Sequence, residues 1–116
     1  SLSRAISNFS NSDIEIKRKH FLMCDMLELG KYSKKLHRKM SGLFNKSKIS
    51  KMHIYGRDVV ETFKGIKKNR KGRILRSTSD IFELINRDLN NNDYLMIKGS
   101  NSTGLNRIVE TLRGNI

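Results

Sequence analysis

Tyr94-Leu95-Met96-Ile97-Lys98-Gly99-Ser100-Asn101-Ser102-Thr103 decides how the fold is read. An apolar run of strand length stops at a glycine, hydroxyl residues follow, and Leu105, Ile108, Val109 and Leu112 then recur at helical spacing, closed by Gly114. The same order appears near the start, where Phe21-Leu22-Met23 runs out into Cys24-Asp25-Met26-Leu27-Glu28-Leu29-Gly30. Both polar segments lie where a buried strand ends. If the two strands are parallel, both segments emerge on one edge of one sheet. Open α/β sheets bind ligands outside the carboxyl ends of their strands, so these segments become two walls of one expected site.

The rest of the chain repeats the alternation. Leu2, Ala5, Ile6 and Phe9 mark an opening helix, and Asn11-Ser12-Asp13 breaks it. Leu36, Met40, Leu43 and Phe44 define a helix face between Ser33 and Phe44. Met52 to Tyr55 reads as a strand stopped by Gly56, and Val59, Val60, Phe63 and Ile66 as a helix. The basic loop Lys67 to Gly72 leads into a strand at Arg73-Ile74-Leu75-Arg76. Ile81, Phe82, Ile85 and Leu89 mark another helix, with Asp80 and Glu83 spaced like a capping box. One helix followed by four strand–helix repeats implies crossover units. The expected fold is therefore α/β and Rossmann-like, with a mostly parallel sheet and helices on both faces. No repeat, heptad or low-complexity linker interrupts it.

The 116 residues suit one domain with one modest core. No apolar run approaches the roughly 20 residues that span a bilayer, the opening segment does not resemble a signal peptide, and one cysteine cannot make an internal disulfide. A cytoplasmic protein with no membrane partner is expected. The first residue is Ser and a helix begins at once, so a piece of a longer polypeptide is expected too. The net charge of +13 raises nucleic acid as a partner. The Lys and Arg residues are spread along the chain, and no aromatic residues interleave with them to stack bases, which argues against that partner.

The turn Lys98-Gly99-Ser100-Asn101-Ser102-Thr103 can receive a carboxylate or phosphate. Gly99 permits the tight turn, the following helix offers free N–H groups and the positive end of its dipole, and Lys98, Ser100, Ser102 and Thr103 add donors. The same serines could simply cap the helix. Walker-loop spacing is missing. Asp25 and Glu28 could receive an ammonium group or act as a base, while the simpler reading has Asp25 stabilising a turn and Glu28 in water. His37, His20 and His53 show no metal-ligand spacing and Cys24 has no partner cysteine, so no metal is expected. Cys24 reads as a small residue at a tight strand end. A phospho-receiver domain would need Asp at the end of the third strand, where Arg76-Ser77 stands.

At these residues the chain resembles a known family. Met23 to Gly30, with Ser33 and His37, is similar to the G-D-M-x-E-L-G…S…H segment of the carboxy-terminal domain of MurF-type Mur ligases, the UDP-N-acetylmuramoyl-tripeptide–D-alanyl-D-alanine ligases. Asp93 to Ser100, with Ser102 and the last helix, resembles that family's G-D-x-x-L-x-K-G-S-R-S ending; Gly56 matches a glycine closing its next strand, and Ser1 to Ile6 the helix after its Y-N-A-N-P motif. Cys24 stands where the family has Gly, Asn101 where it has Arg, and Leu105 and Asn106 where it has Met and Glu. The resemblance implies the closing, dipeptide-binding domain of a cytoplasmic, monomeric ATP-dependent ligase of peptidoglycan biosynthesis, and so of cell shape and division. Its partners would be the UDP-sugar and central domains, UDP-MurNAc-tripeptide and D-alanyl-D-alanine, with ATP and Mg²⁺ bound mainly by the central domain. It implies substrate-binding roles for Asp25, Lys98, Gly99, Ser100, Asn101 and Ser102, support from Glu28, His37 and Thr103, no catalytic residue in this chain, and no activity of the chain alone.

Overall fold

The computed structural model describes residues 1–26, 34–99 and 102–114. Among them, α1 (Leu2–Ser10) precedes four strand–helix units: β1 (Lys19–Cys24) and α2 (Lys34–Asn45), β2 (Lys51–Tyr55) and α3 (Val60–Lys64), β3 (Lys71–Leu75) and α4 (Thr78–Glu83), β4 (Tyr94–Lys98) and α5 (Ser102–Gly114). The strands form one sheet in the order β3-β2-β1-β4, and every neighbouring pair is parallel. The expected α/β architecture is therefore present, with an all-parallel sheet. The order reverses at β1, which pairs with β2 on one side and β4 on the other.

Alternation of side chains along each strand divides the interior in two. Phe21 and Met23 join Met52 and Ile54 beneath α1, α2 and α3, against Ile6, Phe9, Met40, Phe44 and Phe63. Leu22 and Cys24 join Leu75 on the opposite face, against Ile81 and Leu84 of the α4 segment and Leu105 and Val109 of α5. Parallel strands covered on both faces carry continuous apolar runs, and all six residues of β1 are buried. No helix among the described residues is long and apolar enough to cross a membrane.

Three local expectations shift. Lys71 and Gly72 belong to β3, not to the loop before it, because a 3₁₀ turn over Lys68–Arg70 absorbs the connection. The cap of α4 is Ser77, not Asp80: its hydroxyl accepts the Asp80 N–H at 3.3 Å while the Asp80 carboxylate accepts the Arg76 N–H at 2.7 Å. The cap thus sits three residues earlier, where Ser77 has the extended backbone a cap requires. Beyond Glu83 the helix widens into a π turn over Leu84–Asp88.

Phe21 lies between Phe9 and Phe44, with ring centroids 6.5 and 6.4 Å away, and is wholly buried. Phe21→Ala removes the central ring of this tilted and edge-to-face cluster and is expected to lower unfolding free energy by about 3–5 kcal/mol. A urea titration should show an earlier midpoint with an unchanged slope.

Candidate functional site

The end of β1 and the end of β4 lie side by side. Met23 is opposite Lys98 in the parallel register, which brings Cys24 and Asp25 next to Gly99. Because the strand order reverses at β1, this edge is the topological switch point, where open α/β sheets leave a crevice. Gly99 has φ +152°, and a Cβ on it would stand 2.4 Å from Cys24 Cβ. At the neighbouring strand end Gly56 has φ +143°, and its Cβ would collide with the Asp25 carboxylate at 2.5 Å. Both glycines therefore serve backbone geometry and close approach together.

Asp25 holds the exit of β2. Its Oδ2 accepts the Arg57 N–H at 2.9 Å and its Oδ1 the Val59 N–H at 2.8 Å, tying the end of β1 to the entry of α3. This is the turn-stabilising role. An ionised carboxylate offers about four acceptor positions, so the two bonds leave acceptor capacity for a ligand amine. Lys98, opposite Met23 on the neighbouring strand, is half-buried and makes no ion pair among the described residues. The first turn of α5 begins directly after this edge with Ser102 and Thr103. Glu28, Ser100 and Asn101, and the side chains of Ser102 and Thr103, lie outside the described residues. Cys24 is buried, and burial together with the Asp25 charge pushes its thiol up to about 11. It is thus a neutral packing group at physiological pH, in keeping with its reading as a small residue at a tight strand end.

His37 joins two helices. It is buried in α2, its Nδ1 lies 2.6 Å from Thr62 Oγ1, and Ser41 Oγ bonds the carbonyls of His37 and Thr62 at 2.9 and 2.6 Å. These bonds fasten α2 to α3. His37 Nε2 is buried without a hydrogen-bond partner among the described residues.

The sequence reading missed a second polar constellation, at the amino end of the sheet. Arg73 N–H donates to His53 Nδ1 at 2.8 Å, His53 Nε2 lies 2.9 Å from His20 Nδ1, and His20 Nε2 lies 3.3 Å from Asp93 Oδ2. The first bond fixes the rest. Nδ1 of His53 must carry a lone pair, so its proton is on Nε2 and is donated to His20. The proton of His20 is then on its own Nε2, facing the Asp93 carboxylate. The rings stack with centroids 5.2 Å apart. Desolvation drives His53 down to about 3 and lowers His20 as well, with Asp93 opposing the latter shift. Arg73 also forms a two-pronged ion pair with Asp88, at 2.6 and 2.8 Å, and that bond holds the Asp88 carboxyl below its usual range. Only strand register brings the histidines together, and no single segment of sequence carries that signal. Among the described residues no group of three or more His, Cys, Asp or Glu side chains is placed to hold a metal.

The sheet therefore has two chemically distinct ends. The amino end carries a closed chain of hydrogen bonds, whereas the carboxyl end carries Asp25, Lys98 and the start of α5 around a crossing point. Comparison with protein-family models, curated protein sequences and solved structures finds no match.

Asp25→Ala leaves the Arg57 and Val59 N–H groups without their acceptor and is expected to cost about 1–3 kcal/mol by denaturant titration, with Asp25→Asn losing less. The histidine chain sets an acid limit. Between pH 6.5 and about 3 the unfolded state binds the His53 proton that the folded state refuses, so stability is complete above 6.5 and falls as pH drops. The expected slope is up to about 1.4 kcal/mol per pH unit for this residue. Unfolding free energies measured from pH 7 to 4 should fall less steeply in His53→Gln, whatever its absolute stability.

Proposed function

We propose that this chain is the carboxy-terminal domain of a MurF-type Mur ligase, closing over the active site and helping to bind D-alanyl-D-alanine. The observation that carries the reading is the adjacency of the β1 and β4 ends at the switch point, with Asp25 and Lys98-Gly99 on neighbouring strands. These are the segments whose residues resemble the family's two motifs. A dipeptide presents a carboxylate and an amine. Lys98 and the amino end of α5 supply positive potential for the carboxylate, and the remaining acceptor positions of Asp25 orient the amine. Ser100, Asn101 and Ser102 complete the anion side, with Glu28 and Thr103 in support. His37 supports from behind, through the α2–α3 contact.

In this reading the reaction is amide formation. The tripeptide carboxylate of UDP-MurNAc-tripeptide would take the γ-phosphoryl group of ATP, held with Mg²⁺ in the central domain, releasing ADP, and the dipeptide amine would then displace inorganic phosphate from the acyl phosphate. This domain contributes no bond-making group. Its work is to hold the nucleophile and to exclude water from a hydrolysable intermediate as it closes. The enzyme acts as a cytoplasmic monomer in peptidoglycan synthesis, and residues 1–116 alone turn nothing over.

The test is phosphate release by the ligase polypeptide carrying this domain, given ATP, Mg²⁺ and UDP-MurNAc-tripeptide, with and without D-alanyl-D-alanine. Release should depend on the dipeptide and vanish when residues 1–116 are deleted. Lys98→Ala should raise the dipeptide KM at least tenfold and leave the KM for ATP unchanged. Dipeptide-independent behaviour, or unchanged kinetics in Lys98→Ala, overturns the reading.

A further inference from the structure

Charge is distributed over this molecule with a strong asymmetry. Between Glu28 and Asp58 there are nine Lys or Arg residues and no Asp or Glu, and Arg4 is the sole charged residue before Asp13. These two segments supply α1 and α2, which pack side by side on the same face of the sheet. Residues that look dispersed along the chain are thereby gathered on one layer. Arg4, Lys35, Arg38, Lys39, Lys46 and Lys48 are exposed, and none of them is engaged by a carboxylate among the described residues.

Several cations elsewhere in the protein are engaged internally. Lys19 and Arg70 donate to backbone carbonyls, Arg73 pairs with Asp88 and Arg87 with Glu83. On the α1–α2 layer, six cationic side chains stand together without a carboxylate or carbonyl partner among the described residues. Between the two helices runs a groove of about 600 Å³. Ser3, Ser7 and Gly42 line it, with Arg4 on one side and Lys39 and Lys46 on the other. A Cβ on Gly42 would meet nothing within 4 Å, so the groove is open there.

We infer that the α1–α2 groove binds the sugar–phosphate backbone of nucleic acid without reading its sequence. Cations on both sides straddle a polyanionic strand, and serine hydroxyls donate to phosphate oxygens, the groups that position nucleic acids on proteins. The absence of aromatic side chains from this groove removes base stacking, so affinity rests on phosphates alone. A bilayer surface fits less well, because interfacial binding needs buried apolar area and Leu36 is the one exposed large apolar residue of α1 and α2. The inference is independent of the carboxyl-edge reading, since no residue of that site lines the groove.

The test is fluorescence anisotropy of a labelled 20-nucleotide single strand, with the 116-residue chain in 50 to 200 mM NaCl. Contacts to three or four phosphates give a log–log salt slope of about −2 to −3, a loss of roughly 20- to 50-fold across that range. The exposed triple Arg4→Ser/Lys39→Ser/Lys46→Ser should weaken binding more than tenfold and flatten the slope, with its circular dichroism unchanged. The triple Lys17→Ser/Arg76→Ser/Arg87→Ser removes the same charge elsewhere and should stay within threefold of the parent. Equal loss in both triples would mean attraction to net charge without a site and overturns the inference. So does an absence of binding at 50 mM NaCl, or binding only to phosphatidylglycerol vesicles.

Discussion

Burial of β1 on both faces and along both edges is the constraint from which the rest of this structure follows. A parallel strand in the middle of a sheet has no access to water, so every backbone group must find a ladder partner and every side chain must find a packing or polar partner. Phe21 and Met23 organise the core under α1, α2 and α3, and Leu22 and Cys24 the core under α4 and α5. The polar residues of the strand obey the same rule. Buried Lys19 directs its ammonium to the carbonyls of Ser10 and Ser12, at 2.8 and 3.0 Å, at the carbonyl end of α1 where the helix dipole favours a cation. His20 meets the same demand through His53 and Asp93.

Much of the positive charge is used in this way. Arg70 lies against the carbonyls of Ser47, Ile49 and Phe44, at and just beyond the end of α2, at 2.6, 3.1 and 3.3 Å. Arg18 donates through Nε to the Asn92 carbonyl at 2.8 Å and rests over the Tyr94 ring. Hydrogen bonds from charged donors are stronger than neutral ones, and each of these joins segments far apart in the chain. A high count of Lys and Arg thus mixes side chains spent on backbone carbonyls or carboxylates with others left on the surface, the α1–α2 layer among them. Composition alone does not separate them.

The two ends of the sheet show how one architecture can be rigid and receptive at once. At the amino end, donors and acceptors are matched in series from Arg73 N–H to Asp93, and a further proton has no place in the chain. At the carboxyl end Asp25 fixes the relative position of the β1 and β2 exits, and Lys98 makes no ion pair among the described residues. The proposed zwitterion site rests on that fixed carboxylate and the neighbouring strand end.

The sequence by itself determined the alternation of strand and helix, hence the α/β class, and it located both strand ends that form the switch-point edge. Apolar periodicity is a local property, and glycine after an apolar run marks a strand end whatever surrounds it. It placed the cap of α4 three residues late because the Ser77 hydroxyl takes the Asp80 N–H and the Asp80 carboxylate takes the Arg76 N–H, upstream of the apolar stripe. Only tertiary structure decided that Asp25 bonds the entry of α3, that His20 meets His53, and that Arg4 stands across a groove from Lys39 and Lys46. Each of these depends on which strands become neighbours and in what register. That choice is made by burying side chains drawn from distant segments together, and no local pattern encodes it.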